Sequence, residues 1–173
     1  MEHAEGPSLD TKVSALPRLL YYLGATLHLS DLVRQQLSRS HVICDRYLES
    51  PLSLLIAESA LTEADIDTIC DPFRPYLRAP DLTLLLTAGY DTACTRIRER
   101  LPARRTRVEQ LVLQSPEFFH KREVIFRMYA TKLGPTRELD TTALNVAEMC
   151  RSAWTLVAEL LGPRELPPEP LRQ

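Results

Sequence analysis

Two short apolar runs set what this chain can fold into. Val42-Ile43-Cys44 ends abruptly in Asp45, Arg46 and Tyr47, and Leu82-Thr83-Leu84-Leu85-Leu86 follows a proline turn. Each run stands between stretches of helical period, so the pattern reads as strands and helices in alternation, an α/β chain built on a parallel sheet. A buried strand through Cys44 would deliver Asp45 and Arg46 at its carboxyl end, the edge where open parallel sheets hold ligands. A carboxylate suits a hard cation and a guanidinium fork suits phosphate. A plain strand-end ion pair accounts for the same two residues equally well. The second run is apolar almost throughout, which predicts a strand covered on both faces. A short buried helix is its rival, because leucine does not choose between the two.

The helical stretches are punctuated by their own chemistry. Pro17 opens a helix carrying Leu19, Leu20, Leu23, Leu27, Leu32, Val33 and Leu37. Gly24 costs that helix about 1 kcal/mol relative to alanine and so points to close packing or a break, with Ser30-Asp31 offering a cap for a second segment. Ser50-Pro51 reads as a cap and a first-turn proline ahead of Leu52, Leu54, Leu55 and Ile56. Thr62 and Asp65 have the spacing of a capping box. Pro72, Pro75 and Pro80 bar helix over 71–80. A helix over 91–100 and a longer one over 106–132 follow, the latter divided at Pro116 and stopped by Gly134-Pro135. Phe118, Phe119 and Phe126 read as core. Glu138–Thr142 is a last strand leading into a turn, and an amphipathic helix from Leu144 to Leu161 is broad enough to dock on the body. The expected organisation is a leader over 1–13, one domain over 14–161, and a proline-rich tail over 162–173.

Composition narrows the class. With 173 residues, 45% apolar and 25% charged, the chain suits one domain with an ordinary core. A net charge of −2 gives no support for a nucleic-acid or membrane partner. Cys44, Cys70, Cys94 and Cys150 are far apart with no C-x-x-C, the usage of reduced thiols in a cytoplasmic protein, and no zinc site is expected. No secretory signal and no apolar run near the ~20 residues of a membrane span is present.

Between positions 96 and 107 stand six arginines, Arg96, Arg98, Arg100, Arg104, Arg105 and Arg107, against one acid, Glu99. Arginines on a helix end and its loop, beside the mouth of a sheet, are what closing over a polyphosphate requires. A solvated basic face explains them as well.

With these residues in view, the chain resembles the thymidylate kinase family of P-loop nucleoside monophosphate kinases, from about Leu20 to Val157. Cys44-Asp45-Arg46-Tyr47-Leu48-Glu49-Ser50 is similar to the family's D-R-Y/H-x-x-S stretch, and Pro80 through Leu86 to its P-D-L-T-x-x-L strand. Arg96, Arg98 and Arg100 fall on its R-I-x-x-R helix. Arg104, Arg105, Arg107 and Glu109 resemble the mobile lid and the R-I/V-E that closes it. Glu117 through Tyr129 resembles its F-F-x-x-V-x-x-x-Y helix, and Leu139-Asp140-Thr141 its late I-D-A/T strand. The resemblance implies an α/β fold, a three-layer P-loop kinase-like parallel sheet flanked by helices, here incomplete at its amino-terminal side.

It also implies ATP-dependent phosphorylation of a nucleoside monophosphate, dTMP to dTDP, with ATP and Mg2+ as cofactors. Asp45 would place magnesium and phosphates. Arg46, Tyr47, Ser50 and His28 would hold the acceptor, Arg96 and Arg100 the nucleotide donor, and Arg96, Arg104, Arg105 and Arg107 would neutralise developing charge. The departures are specific. No G-x-x-x-x-G-K-S/T occurs in the 173 residues, so the loop that cradles donor phosphates in the family is missing and the chain is expected to be inactive alone. Ala25 stands where the family has an arginine, and Leu54 and Leu55 where it has tyrosine and glutamine. These changes favour an alternative, a non-catalytic interaction or regulatory protein on a degenerate nucleotide kinase scaffold. Its expected partners are a second copy or a complete kinase subunit.

Overall fold

A computed structural model describes residues 14–162. Helix accounts for 67% of it. The first helix, α1 (Ala15–Leu37), is continuous. It buries Leu19, Leu23, Thr26 and Ser30, the i, i+4, i+7, i+11 stripe that keeps one helix face turned inward. Gly24 does not break it. A Cβ added there would meet nothing within 4 Å, so the glycine sits on an open face and the stripe on the other face holds the helix.

The helix that follows, α2 (Glu49–Ala57), is buried on nearly every side, through Ser50, Leu52, Ser53, Leu55, Ile56 and Ala57. Leu52 and Leu55 are 1% and 0% exposed, and each such leucine contributes about 2 kcal/mol of apolar burial. The expected cap at Ser50 is displaced. Leu48 occupies the N-cap, and Pro51 sits in the first turn, where its missing N–H would have had no helical partner. Helix α3 (Glu63–Cys70) starts on the capping box of Thr62 and Asp65 that the spacing predicts. A 3-10 turn over Asp71–Tyr76 accommodates Pro72 and Pro75.

The sheet has two strands among the described residues. Strand β1 (Thr83–Thr87) pairs in parallel with β2 (Thr136–Asp140), Thr83 opposite Thr136 and Thr87 opposite Asp140. Between them come α4 (Tyr90–Arg98), a 3-10 turn at Pro102–Arg104, α5 (Arg107–Gln114) and α6 (Pro116–Leu133). The division at Pro116 and the stop at Gly134 are as the sequence predicts. Gly134 is also required by packing, since a Cβ there would lie 2.7 Å from the backbone oxygen of Pro80. That close approach sets the two strand starts side by side, with Thr83 N–H donating to Pro135 O at 2.8 Å. The last helix, α7 (Val146–Leu161), leans on β2 and leaves Val146 and Trp154 73% and 39% exposed. It is less enclosed than its apolar breadth predicts.

Three expectations are corrected. The multi-stranded, three-layer P-loop kinase sheet is not formed by the described residues, and the P-loop, ATP-binding character attached to it falls with it. What is built is a mainly helical body with a two-stranded parallel ribbon. Residues 41–44 form no strand, and Ile43 is 96% exposed. A strand exists only through backbone partners, and this run finds none among the described residues. Strand β1 is likewise not covered on both faces, with Leu85 buried and Leu86 50% exposed.

The core lies among the helices. Leu19 and Leu23 of α1, Leu48, with Leu52 and Leu55 of α2, Ile66 and Cys70 of α3, and Ile125 and Tyr129 of α6 belong to one cluster. The leader 1–13 and, apart from Gly162, the tail lie outside the described residues. No described helix is long and apolar enough to cross a membrane.

Candidate functional site

The loop that carries Asp45, Arg46 and Tyr47 is pinned from both sides. Ser30, fully buried on α1, donates its hydroxyl to Thr26 O at 2.9 Å and accepts from the Arg78 amide at 3.2 Å. Its hydroxyl hydrogen is thus committed, so in the very short contact between the two hydroxyls Tyr47 is the donor. Burial pushes the Tyr47 phenol up from its ordinary range. The Tyr47 amide in turn donates to Glu49 Oε1 at 3.1 Å.

Arg46 pays the backbone strain of this arrangement. Its φ is 73°, in the left-handed region that glycine or asparagine normally fills. A residue held there costs of order 1–3 kcal/mol, and such positions concentrate at functional sites. The strained backbone sends the exposed guanidinium to Ser50 Oγ, 3.0 Å away in the first turn of α2. Glu49, 6% exposed, is pushed up by burial, against the pull of backbone hydrogen bonds and the Arg46 charge. Asp45 is exposed on the same loop, and His28 is exposed on α1.

The arginines of 96–107 are dispersed by their partners. Arg96 donates to Thr141 Oγ1 at 2.9 Å and Thr141 O at 2.6 Å, fastening α4 to the end of β2. Arg105 donates to Ile97 O, Arg98 O and Arg100 O, carbonyls at and just past the end of α4. Arg100 pairs with Glu109 in the capping box of α5. Arg107 lies 3.1 Å from Glu58 Oε1, whose other oxygen takes both terminal nitrogens of Arg18 at 3.1 Å. Arg104 is exposed. Arg46 and Arg107 therefore stand at opposite ends of α2, roughly 12 Å apart along a helix rising 1.5 Å per residue. The structure brings Arg46, Tyr47 and Ser50 together with Glu49 and does not bring the lid arginines to them.

A second feature escaped the sequence reading. At the carboxyl ends of β1 and β2 lies an open cleft of about 240 Å3, lined by Thr87, Tyr90, Phe119, His120, Glu123 and Asp140 among others. That is where parallel sheets place ligands. Its acids and aromatic rings do not suit a polyphosphate. Asp140 is held below the usual carboxylate range by hydrogen bonds from the Thr142 hydroxyl and amide. The signal in the sequence was Thr87-Ala88-Gly89-Tyr90, a strand end running through glycine into a helix.

Arg122 escaped it too. Burial first, and then the neighbouring Arg46 charge, pull its guanidinium down to about 10.

The described residues assemble no resident metal cluster. No group of three or more His, Cys, Asp or Glu gathers among the described residues, and Asp45 stands exposed beside a cation. Magnesium bound by a protein takes one or two carboxylates together with substrate phosphates, and Asp45 is the exposed carboxylate next to Arg46 on this loop. No nucleotide-binding motif is formed among the described residues either, and family membership carries nucleotide and Mg2+ use only as a general association.

No curated protein and no solved structure gives a significant match. The family model described as Thymidylate kinase matches residues 9–130, from before α1 to within α6 and through the whole Arg46 site. With well over half of its length inside that model, the chain belongs to the thymidylate kinase family.

Proposed function

We propose that this chain binds the phosphate of a nucleoside monophosphate at Arg46 and Ser50, and that it does not by itself transfer phosphate to that ligand. The observation that carries the reading is Arg46, held at a φ of 73° with its guanidinium on Ser50 Oγ. A guanidinium fork beside a hydroxyl at the start of a helix offers an anion charge, directed donors and the positive end of the helix dipole.

The absence of transfer follows from the chemistry. Phosphoryl transfer depends on positioning and on neutralising charge as it develops. In this sequence no phosphate-cradling loop of the G-x-x-x-x-G-K-S/T kind occurs, and Arg96, Arg105 and Arg107 serve as struts. Calorimetric titration with dTMP is expected to show binding that thymidine lacks and that Arg46→Ala removes. ATP-to-dTMP transfer by the purified chain, abolished by Arg46→Ala, would overturn the reading.

A second reading, an interaction protein that docks on another copy or on a complete kinase subunit, draws on different observations. Strand β1 has one hydrogen-bonded neighbour among the described residues. Leu86 within it, and Leu16, Leu20 and Tyr21 on α1, are 47–71% exposed. Light scattering across a concentration series distinguishes this reading, which requires assembly and no response to dTMP.

A further inference from the structure

Helix α6 turns a stripe inward at Phe118, Arg122, Ile125 and Tyr129, the i, i+4, i+7, i+11 spacing that serves the core on α1. Ile125 and Tyr129 are 5% and 1% exposed, and Phe118 packs against the same cluster. Arg122 is therefore a cation at a core position. Its Nε is buried with no hydrogen-bond partner. Its guanidinium carbon sits 6.0 Å from the centre of the Phe126 ring, and no carboxylate pairs with it among the described residues. Helix α6 packs along α2, whose first turn holds the Arg46 guanidinium through Ser50, and the Arg46 charge repels that of Arg122.

We propose that Arg122 is the second guanidinium of an anion clamp, closing with Arg46 and Ser50 on the dianionic oxygens of a phosphomonoester. The inference rests on the phosphate site proposed above and adds a residue to it from across the α2–α6 packing.

Two like charges kept close, one of them buried with a donor unfilled, make an arrangement that an anion completes. A phosphomonoester supplies two negative charges and three acceptor oxygens. Arg46 and Ser50 fill part of that geometry, and the orphan Nε of Arg122 is an unused donor on the buried side. Glu49 does not already serve as the counter-ion. Its carboxylate accepts from the Tyr47 amide, and among the described residues it forms no ion pair with Arg46 or Arg122. The competing account makes Arg122 a structural cation whose stem fills core space over Phe126.

Arg122→Met separates the two, because methionine keeps most of the length and packing and removes the charge. Inorganic phosphate, dTMP and thymidine are titrated calorimetrically into the full chain and this variant, with thermal melts run alongside. The clamp requires Kd for phosphate and for dTMP to weaken at least tenfold in Arg122→Met, with Tm unchanged or raised. Arg122→Lys should recover part of the affinity. A variant that binds phosphate and dTMP as the parent does overturns the clamp while leaving the Arg46 site standing. A lowered Tm with unchanged affinity identifies the structural cation. Phosphate bound tenfold more weakly by the variant, with dTMP no better than phosphate for the parent, supports the clamp and sinks the nucleoside monophosphate reading. A parent that binds none of the three ends both.

Discussion

Glu58 holds three helices with one carboxylate, and neutralising it tests how far the body depends on that junction. One oxygen accepts both terminal nitrogens of Arg18 at 3.1 Å, and the other lies 3.1 Å from Arg107. The side chains of Arg18 and Glu58 are 9% and 10% exposed, whereas Arg107 is 40% exposed. Glu58→Gln keeps the shape and leaves Arg18 as a buried cation without a counter-charge. Breaking a pair of that kind costs about 3–5 kcal/mol, and the share made with exposed Arg107 adds little. Taking about 3 kcal/mol, and a Tm response of about 2–4 °C per kcal/mol for a chain of this size, Tm should fall by roughly 6–12 °C.

Two measurements bear on the cause. Urea unfolding gives the free-energy change directly, and limited proteolysis between Arg98 and Arg107 reads the release of the segment that Arg107 anchors. The double variant Arg18→Met/Glu58→Leu, which removes both charges, should regain most of the loss, because a well-packed apolar replacement of a buried pair is often neutral. A Glu58→Gln protein within about 1 kcal/mol of the parent, with the same cleavage rate, would refute the reasoning. The junction would then be an ion pair whose desolvation already cancels its attraction.

Local chemistry was legible in the sequence where the interaction is local. The Thr62 capping box, the break at Pro116 and the stop at Gly134 each depend on residues within about four positions, and each occurs as read. Strand β1 was legible from its apolar run. Residues 41–44 offered a similar run and form no strand, because pairing is decided by a distant neighbour that periodicity does not contain. The arginines of 96–107 fail for the same reason. They are adjacent in sequence, but helix α4, a tight turn and helix α5 point them at Thr141, at the end of α4 and at Glu58. Arg122 is different, since its place on the stripe Phe118-Arg122-Ile125-Tyr129 was in plain view. Reading the aromatic residues of that helix as core, without asking what charge shared their face, hid it. Arg46 gave no such signal, because a left-handed φ at an arginine follows from the anchoring of Tyr47 to Ser30 and of its amide to Glu49.

Gly134→Ala should destabilise by about 1–3 kcal/mol in urea unfolding, since its Cβ meets a backbone oxygen at 2.7 Å that no side-chain rotation relieves. Ser30→Ala leaves the Tyr47 hydroxyl and the Arg78 amide short of a partner, and a loss of about 2 kcal/mol with faster amide exchange at Arg78 is expected. Glu49, as an acid raised by burial, contributes stability that is fully present below its unfolded value of ~4.3 and is lost as pH rises through its folded value. Glu49→Gln should remove that segment of the stability-versus-pH curve, and an unchanged curve would count against the assignment. Arg46→Gly separates strain from binding. Glycine adopts a φ of 73° freely, so relief of about 1 kcal/mol opposes the loss of one hydrogen bond to Ser50. Stability should stay level or rise slightly while phosphate and dTMP binding disappear. Arg46→Ala, which keeps the strain and loses the same bond, should be the less stable of the two. If alanine and glycine are equally stable, the left-handed backbone is not a stored cost and its value as a marker of the site is gone; if glycine still binds dTMP, the guanidinium is not what holds the phosphate.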